Sequence, residues 1–254
     1  MAKKRISLIP LILIPGLLLF ISAAAIYYIS EYNHRPHFVR YPAFGIDIPE
    51  DYSIHGIDVS HHQDDINWDD VKAMQIKNIK IGFTFIKATE ALGDVDDNFR
   101  RNWFEVKDAG LIRGAYHFFN AGKSGKAQAE NFIETVQLKK GDLPPVLDIE
   151  QTNGASPLDI KLRAKDFLVM VENYYKVKPI IYTNVDFYEN FLSDSFNNYP
   201  LWIAHYLVHD RPGIKRDWIF WQHNERGHVN GITSFVDFNV FNGDSAAFNQ
   251  LLLK

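Results

Sequence analysis

Hydrophobic positions are spread unevenly along this chain of 254 residues. Residues 6–29 contain no charged side chain, and Lys3-Lys4-Arg5 stands just before them. A run of 24 residues exceeds the roughly 20 that a helix needs to cross a bilayer. The basic flank at 1–5 is expected to stay cytoplasmic, which sends the C-terminal body to the extracytoplasmic side of the membrane. Tyr27 and Tyr28 stand where an interfacial aromatic belt falls, and Pro10, Pro15 and Gly16 are tolerated in a membrane helix. A cleaved signal peptide is the alternative, because Ala23-Ala24-Ala25 offers a small-residue cleavage site. The length of the apolar run favours a retained anchor at 6–29. Residues 30–52 are polar, carry Pro36, Pro42 and Pro49, and lack clear periodicity. They are expected to form a linker, leaving 53–254 as the folded body.

Within the body, short apolar runs alternate with amphipathic stretches. The pattern predicts strands over 55–60, 79–87, 112–119, 146–150, 179–183, 201–206, 218–222 and 235–240. It predicts helices over 68–75, 97–109, 124–137 and 156–175, and a further one near 185–192. Ser124 and Ser156 are placed as N-caps, Pro157 suits the first helical position, and Gly110 marks a helix stop. Strand–helix alternation implies an α/β fold with a parallel sheet. Eight strands in about 200 residues predict an irregular, TIM-like β/α barrel with few helices in its C-terminal half, small for that class. A doubly wound open sheet is the alternative.

Composition narrows the function. The chain is 46% hydrophobic and 14% aromatic, enough for a large core with rings to spare for lining a sugar groove. Net charge is −4 overall and −7 once Lys3, Lys4 and Arg5 are set aside. A body so acidic, with no basic cluster, is not built for nucleic acid. There is no cysteine, hence no disulfide framework and no thiol nucleophile. No nucleophile elbow and no phosphate loop is present. His61 and His62 are adjacent on an extended segment and point apart, a poor start for a metal site.

The most informative stretch is Leu143-Pro-Pro-Val-Leu-Asp-Ile-Glu150, a short apolar strand that ends in two acids. Strand residues two apart share a face, so Asp148 and Glu150 project together, with Cα atoms roughly 6.5 Å apart. Two neighbouring carboxyls cannot ionise equally easily; one keeps its proton longer, which divides the pair into an acid and a carboxylate. Glycoside hydrolysis requires that division. Further polar residues gather at strand C-terminal ends or in the last strand: Asp58, Glu90, Tyr116, His117, Tyr182, Trp202, Tyr206, Gln222 and Asp237. In a barrel those ends converge on the face that carries active sites. His117 suits a buried hydrogen bond better than a base. Trp202 suits core packing and a sugar platform about equally.

Several of these segments, in order, resemble one family. Gly56-Ile-Asp-Val-Ser-His-His-Gln63 is similar to the opening strand of glycoside hydrolase family 25, the muramidase-type lysozymes. Phe85-Ile-Lys-Ala-Thr-Glu90 resembles its second strand, and Asp97-Asn-Phe with Ala109-Gly-Leu the helix that follows. Gly114-Ala-Tyr-His-Phe118 and Val146-Leu-Asp-Ile-Glu150 resemble the third and fourth strands. Ile181-Tyr-Thr-Asn184, Leu201-Trp-Ile-Ala204, Phe220-Trp-Gln222 and Val236-Asp-Phe-Asn239 continue the match. The resemblance implies cleavage of the β-1,4 bond between N-acetylmuramic acid and N-acetylglucosamine in peptidoglycan glycan strands. The carboxylate mechanism requires no metal or cofactor, and a monomer is expected.

By the same resemblance Glu150 is the general acid and base, with its pKa expected to be raised by Asp148 and by partial burial. Asp148 orients or stabilises the substrate acetamido group, which is itself a candidate nucleophile. Asp58 and Asp237 complete an acidic floor; Tyr116, Tyr182, Trp202, Tyr206, Gln222 and Glu90 line the groove. Three positions depart from the family's pattern: Ala91-Leu92 where a glycine is frequent, His223 where tyrosine is usual, and the bulky Phe238. These are expected to alter groove shape. A chitinase-like glycosidase is disfavoured because Pro145-Val-Leu precedes Asp148 in place of a longer acidic run. A non-catalytic wall-binding module held at the membrane is the other alternative.

Overall fold

In a computed structural model of the chain, residues 17, 19–27, 36–206, 208 and 211–254 are described. Residues 19–27 are helical and exposed. The membrane span expected at 6–29 is not found: among the described residues no helix is long and apolar enough to cross a bilayer. The rest of that span, with the basic flank, lies outside the described residues.

The linker expected at 30–52 is corrected from residue 36 onward. Strands β1 (Phe38–Tyr41) and β2 (Ile46–Pro49) pair antiparallel as a hairpin. Tyr41, Phe44, Ile46 and Ile48 are buried in the main core. Phe44 meets Phe238 at 5.5 Å between ring centroids, Phe38 meets Trp221 at 5.8 Å, and the His228 N–H donates to Phe44 O at 2.9 Å. Ile46 and Ile48 flank Asp47 in strand alternation, a signal too short to stand out between prolines.

Eight strands close the barrel: β3 (His55–Val59), β4 (Ile79–Glu90), β5 (Ile112–Phe118), β6 (Val146–Asp148), β7 (Ile180–Asn184), β8 (Leu201–Ala204), β9 (Phe220–Gly227) and β10 (Val236–Phe241). Strands β3 to β9 follow one another in parallel pairs. Strand β10 then lies antiparallel to both β9 and β3 and closes the ring. The wholly parallel sheet implied by strand–helix alternation therefore fails at one strand. Residues 228–235 joining β9 to β10 hold no helix. A parallel return needs a crossover of a dozen residues or more, so the chain turns back on itself.

The early crossovers are helical: α1 (Trp68–Ala73), α2 (Phe99–Asp108), α3 (Gly125–Thr135) and α4 (Pro157–Tyr175). Ser124 Oγ accepts from the Ala127 N–H, and Ser156 Oγ from the Asp159 N–H at 3.2 Å with Pro157 opening the helix, as the capping pattern predicts. After β7 only a short turn of helix at Val185–Phe187 runs into a π-turn at Tyr188–Leu192. A final helix, α5 (Ser245–Leu251), puts Phe248 against Phe83 and Phe220.

The barrel interior is packed below and polar above. Phe83, Phe85, Phe220, Phe241 and Trp202 belong to one buried cluster inside the ring. Two glycines make room for it: a Cβ on Gly56 would fall 2.5 Å from the Phe83 ring, and one on Gly114 2.5 Å from the Phe85 ring. Phe85 stacks on Trp202 at 4.4 Å. Continuing each strand's inward alternation past this aromatic layer brings the next side chains to the open mouth.

Candidate active site

All ten side chains singled out from the sequence line one cavity of about 630 Å³ at that mouth. Asp58 comes from β3, Glu90 from β4, Tyr116 from β5, Asp148 and Glu150 from β6 and the turn after it, Tyr182 from β7, Trp202 and Tyr206 from β8 and its extension, Gln222 from β9, and Asp237 from β10. Strand β10 enters the ring reversed, so Asp237 sits at its start and still reaches the mouth, in direct register with Asp58.

Asp58 is held by two converging chains of hydrogen bonds. Its Oδ2 accepts from Gln222 Nε2 at 2.8 Å and from Asn239 Nδ2 at 2.7 Å. Gln222 Oε1 in turn accepts from Tyr182 Oη at 2.6 Å and from Tyr206 Oη. Asn239 Oδ1 accepts from Trp202 Nε1 at 2.8 Å. Burial raises the Asp58 pKa to about 6, with the Asn239, Gln222 and Asp237 hydrogen bonds opposing that rise. Asp237 is pushed up to about 9, by burial first and then by the neighbouring Asp58 charge. At neutral pH Asp237 is thus protonated and donates to an ionised Asp58.

The second acid pair divides differently from expectation. Asp148 lies deep, 6% exposed, with its Oδ1 unpartnered. Burial drives its pKa well above the ordinary carboxylate value, and the charges of Glu150 and Asp58 add to this, while Lys87 opposes it. Glu150 is less enclosed, and burial alone raises its pKa. The expectation that Asp148 would push up Glu150 is therefore reversed. Asp148 sits one layer nearer the aromatic floor, loses more hydration, and keeps the proton more tightly. A neutral Asp148 exerts little field on Glu150.

Trp202 resolves toward the core, 2% exposed, stacked on Phe85 and holding Asn239. It still contributes to the cavity lining. His117 lies outside the site, as expected, fully buried between Thr89 Oγ1 at 2.7 Å and Gln128 Oε1 at 3.1 Å. Burial lowers its pKa to about 4. Lys87, Asn239 and Glu225 are site residues that the sequence reading does not single out. Lys87 borders the cavity and pairs with Glu90 Oε2 at 2.6 Å; a lysine in phase with Phe83 and Phe85 on an otherwise apolar strand was the available signal. Asn239 stands two residues from Asp237, on the same face of β10. His61 reaches the rim, its Nδ1 2.8 Å from Asp96 Oδ2. Among the described residues no group of three or more His, Asp or Glu is arranged to hold a metal ion.

A barrel whose mouth gathers six carboxyl groups, four of them with raised and unequal proton affinity, in an open cavity large enough for sugar rings, has the machinery of a carboxylate-dependent glycoside hydrolase. The sequence signature of glycosyl hydrolases family 25 matches residues 57–232. The YegX protein of Escherichia coli K12 is 45% identical over 216 residues, covering 85% of this chain and 78% of its own. Lysozyme M1 of Streptomyces globisporus is 36% identical, covering 78% and 71%. The solved family 25 glycosyl hydrolase from Bacillus anthracis superposes with a TM-score of 0.74 at 31% identity, over 87% of this chain and 98% of that one. The chain belongs to glycoside hydrolase family 25.

Two of the three departures from the family's pattern do not reach the groove. His223 and Phe238 are buried on the outer side of the barrel wall, beneath the β1–β2 hairpin. The expected effect on groove shape is thus corrected for both: side chains on β9 and β10 alternate, and these two point away from the mouth. Burial lowers the His223 pKa to about 3. The third departure, Ala91, has a left-handed backbone with φ +47°, where glycine would be unstrained.

Proposed function

We propose that this glycoside hydrolase cleaves the β-1,4 bond between N-acetylmuramic acid and N-acetylglucosamine in peptidoglycan. Glu150, its proton retained by partial burial, protonates the glycosidic oxygen as the bond breaks. Positive charge then develops at the sugar's anomeric carbon. The substrate acetamido oxygen captures that carbon, with Asp148 accepting the acetamido N–H through its carbonyl oxygen. Glu150, now ionised, takes a proton from water as the intermediate is hydrolysed. Asp58 and Asp237 supply one negative charge and one proton beneath the reacting sugar. Tyr116, Tyr182, Tyr206, Gln222 and Glu90 contact the ring substituents. The observation that carries this reading is the inward pair Asp148 and Glu150, one deep and one near solvent, in a chain related to Lysozyme M1.

The enzyme acts as a monomer, held by its N-terminal apolar segment with the barrel on the extracytoplasmic side. The uncharged run at 6–29 behind Lys3-Lys4-Arg5 supports this placement. Zymography on purified cell wall, with mass spectrometry of the products, tests the activity. Glu150→Gln keeps shape and removes the transferable proton, so turnover should fall by roughly 10²–10⁴-fold with folding intact. Near wild-type turnover in that variant, or products with glucosamine at the new reducing end, would overturn the assignment. Fractionation of full-length protein tests the anchor; recovery as a soluble cytoplasmic protein would refute it.

A further inference from the structure

We propose that the β1–β2 hairpin and the raised β9–β10 arm form a second binding site, next to the acidic cavity, for another carboxylate-bearing sugar unit of the glycan strand. This extends the peptidoglycan reading and rests on it. A groove of about 450 Å³ runs between hairpin residues Arg40 and Asp47 and arm residues Arg226, His228 and Phe235. Tyr206 and Glu225 line both this groove and the acidic cavity, so the two are continuous.

The groove's chemistry complements that of the cavity. Phe235 is 48% exposed, with the Arg226 guanidinium 5.6 Å over its ring and the His228 ring at 4.9 Å. An exposed ring beside a guanidinium offers a face for a sugar and a planar donor for a carboxylate. Arg40, exposed on the opposite wall, lies 3.7 Å from Asp47. A muramic acid strand carries carboxylates on its lactyl groups or peptide stems. The cavity is lined by six acids and one lysine, whereas the adjoining groove sets two arginines, Arg40 and Arg226, against two acids, Asp47 and Glu225. The hairpin lies outside residues 57–232, which the family signature matches. It is fixed by Phe44 on Phe238 and Phe38 against His223, two of the three positions that depart from the family's pattern.

The test is steady-state kinetics of wild type, Arg226→Ala with Phe235→Ala, and Arg40→Ala, all exposed positions whose folding is checked by thermal melts. The probes are long soluble peptidoglycan strands, the shortest muramic acid oligosaccharide turned over, and chitin oligosaccharide as an uncharged control for binding. The expected result is a rise of roughly tenfold in KM for strands, the effect of one lost anchoring contact. Turnover of the short substrate and binding of the uncharged control should stay within about twofold, and high salt should abolish the difference due to Arg40. Equal KM for strands in wild type and variants would overturn the second site while leaving the peptidoglycan reading in place. So would an equal loss on the short substrate. Failure of the wild type to cleave any peptidoglycan would overturn both.

Discussion

Asp237 faces Asp58 in direct register across the antiparallel seam that closes the barrel, and the two carboxyl groups share one proton. Both have proton affinities raised in the fold above those of an unfolded chain. For such groups folding is favoured while they are protonated, and that contribution is lost as pH rises through the folded values. Stability from this pair should therefore be complete below about 3.8, the ordinary aspartate value, and should decline through about 6 and on to about 9. Asp237→Asn keeps a donor for Asp58 and removes the group that must ionise. The variant should be more stable than wild type at pH 9 by at least about 1.4 kcal/mol, the worth of a tenfold change in proton affinity. Little difference is expected near pH 4. Thermal melts at the two pH values check this; a parallel offset at both would mean the pair does not share a proton.

The reversed order of the Asp148 and Glu150 proton affinities has a kinetic consequence. Burial raises the proton affinity of Asp148 more than that of Glu150, so Asp148→Asn should remove no charge from beside Glu150. The alkaline limb of the pH–rate profile should stay in place while the rate falls, by roughly 10²-fold if the acetamido contact is lost. A limb displaced downward by a full pH unit or more would show that Asp148 is ionised when Glu150 works.

Gln222 joins both tyrosine hydroxyls to Asp58. Gln222→Leu is close in volume but takes one of its donors from Asp58 and the shared acceptor from the Tyr182 and Tyr206 hydroxyls. Destabilisation of about 1–3 kcal/mol per unsatisfied group is the scale, moderated where water enters. The kcat should drop more than KM rises, since Asp58 loses its orientation. Denaturant unfolding beside steady-state kinetics measures both, and an unchanged kcat would remove Asp58 from the reaction.

Ala91 pays for its left-handed backbone in steric strain. Ala91→Gly should stabilise the barrel by about 1 kcal/mol, raising Tm by about 2–4 °C in a domain of this size, with activity retained. No change in Tm would mean that the added flexibility of the unfolded glycine chain cancels the relief.

Much of this protein is legible in its sequence. The Ser156-Pro157 opening of α4, the Ser124 cap and the eight strand positions follow from local chemistry, because caps and two-residue alternation act over a few residues. Asp148 and Glu150 were legible as a pair for the same reason. The convergence of all ten candidate side chains on one cavity also followed from the sequence, since strand ends in a closed barrel share a face. The tertiary structure decided what depends on partners distant in sequence. The hairpin at 38–49 is a buried wall rather than a linker, because Phe238 and Trp221, nearly two hundred residues onward, cover its rings. Strand β10 is antiparallel because its connection is too short to cross over. Asp148, and not Glu150, binds its proton more firmly because depth in the barrel governs hydration, and depth is a property of the closed ring that no eight-residue motif contains.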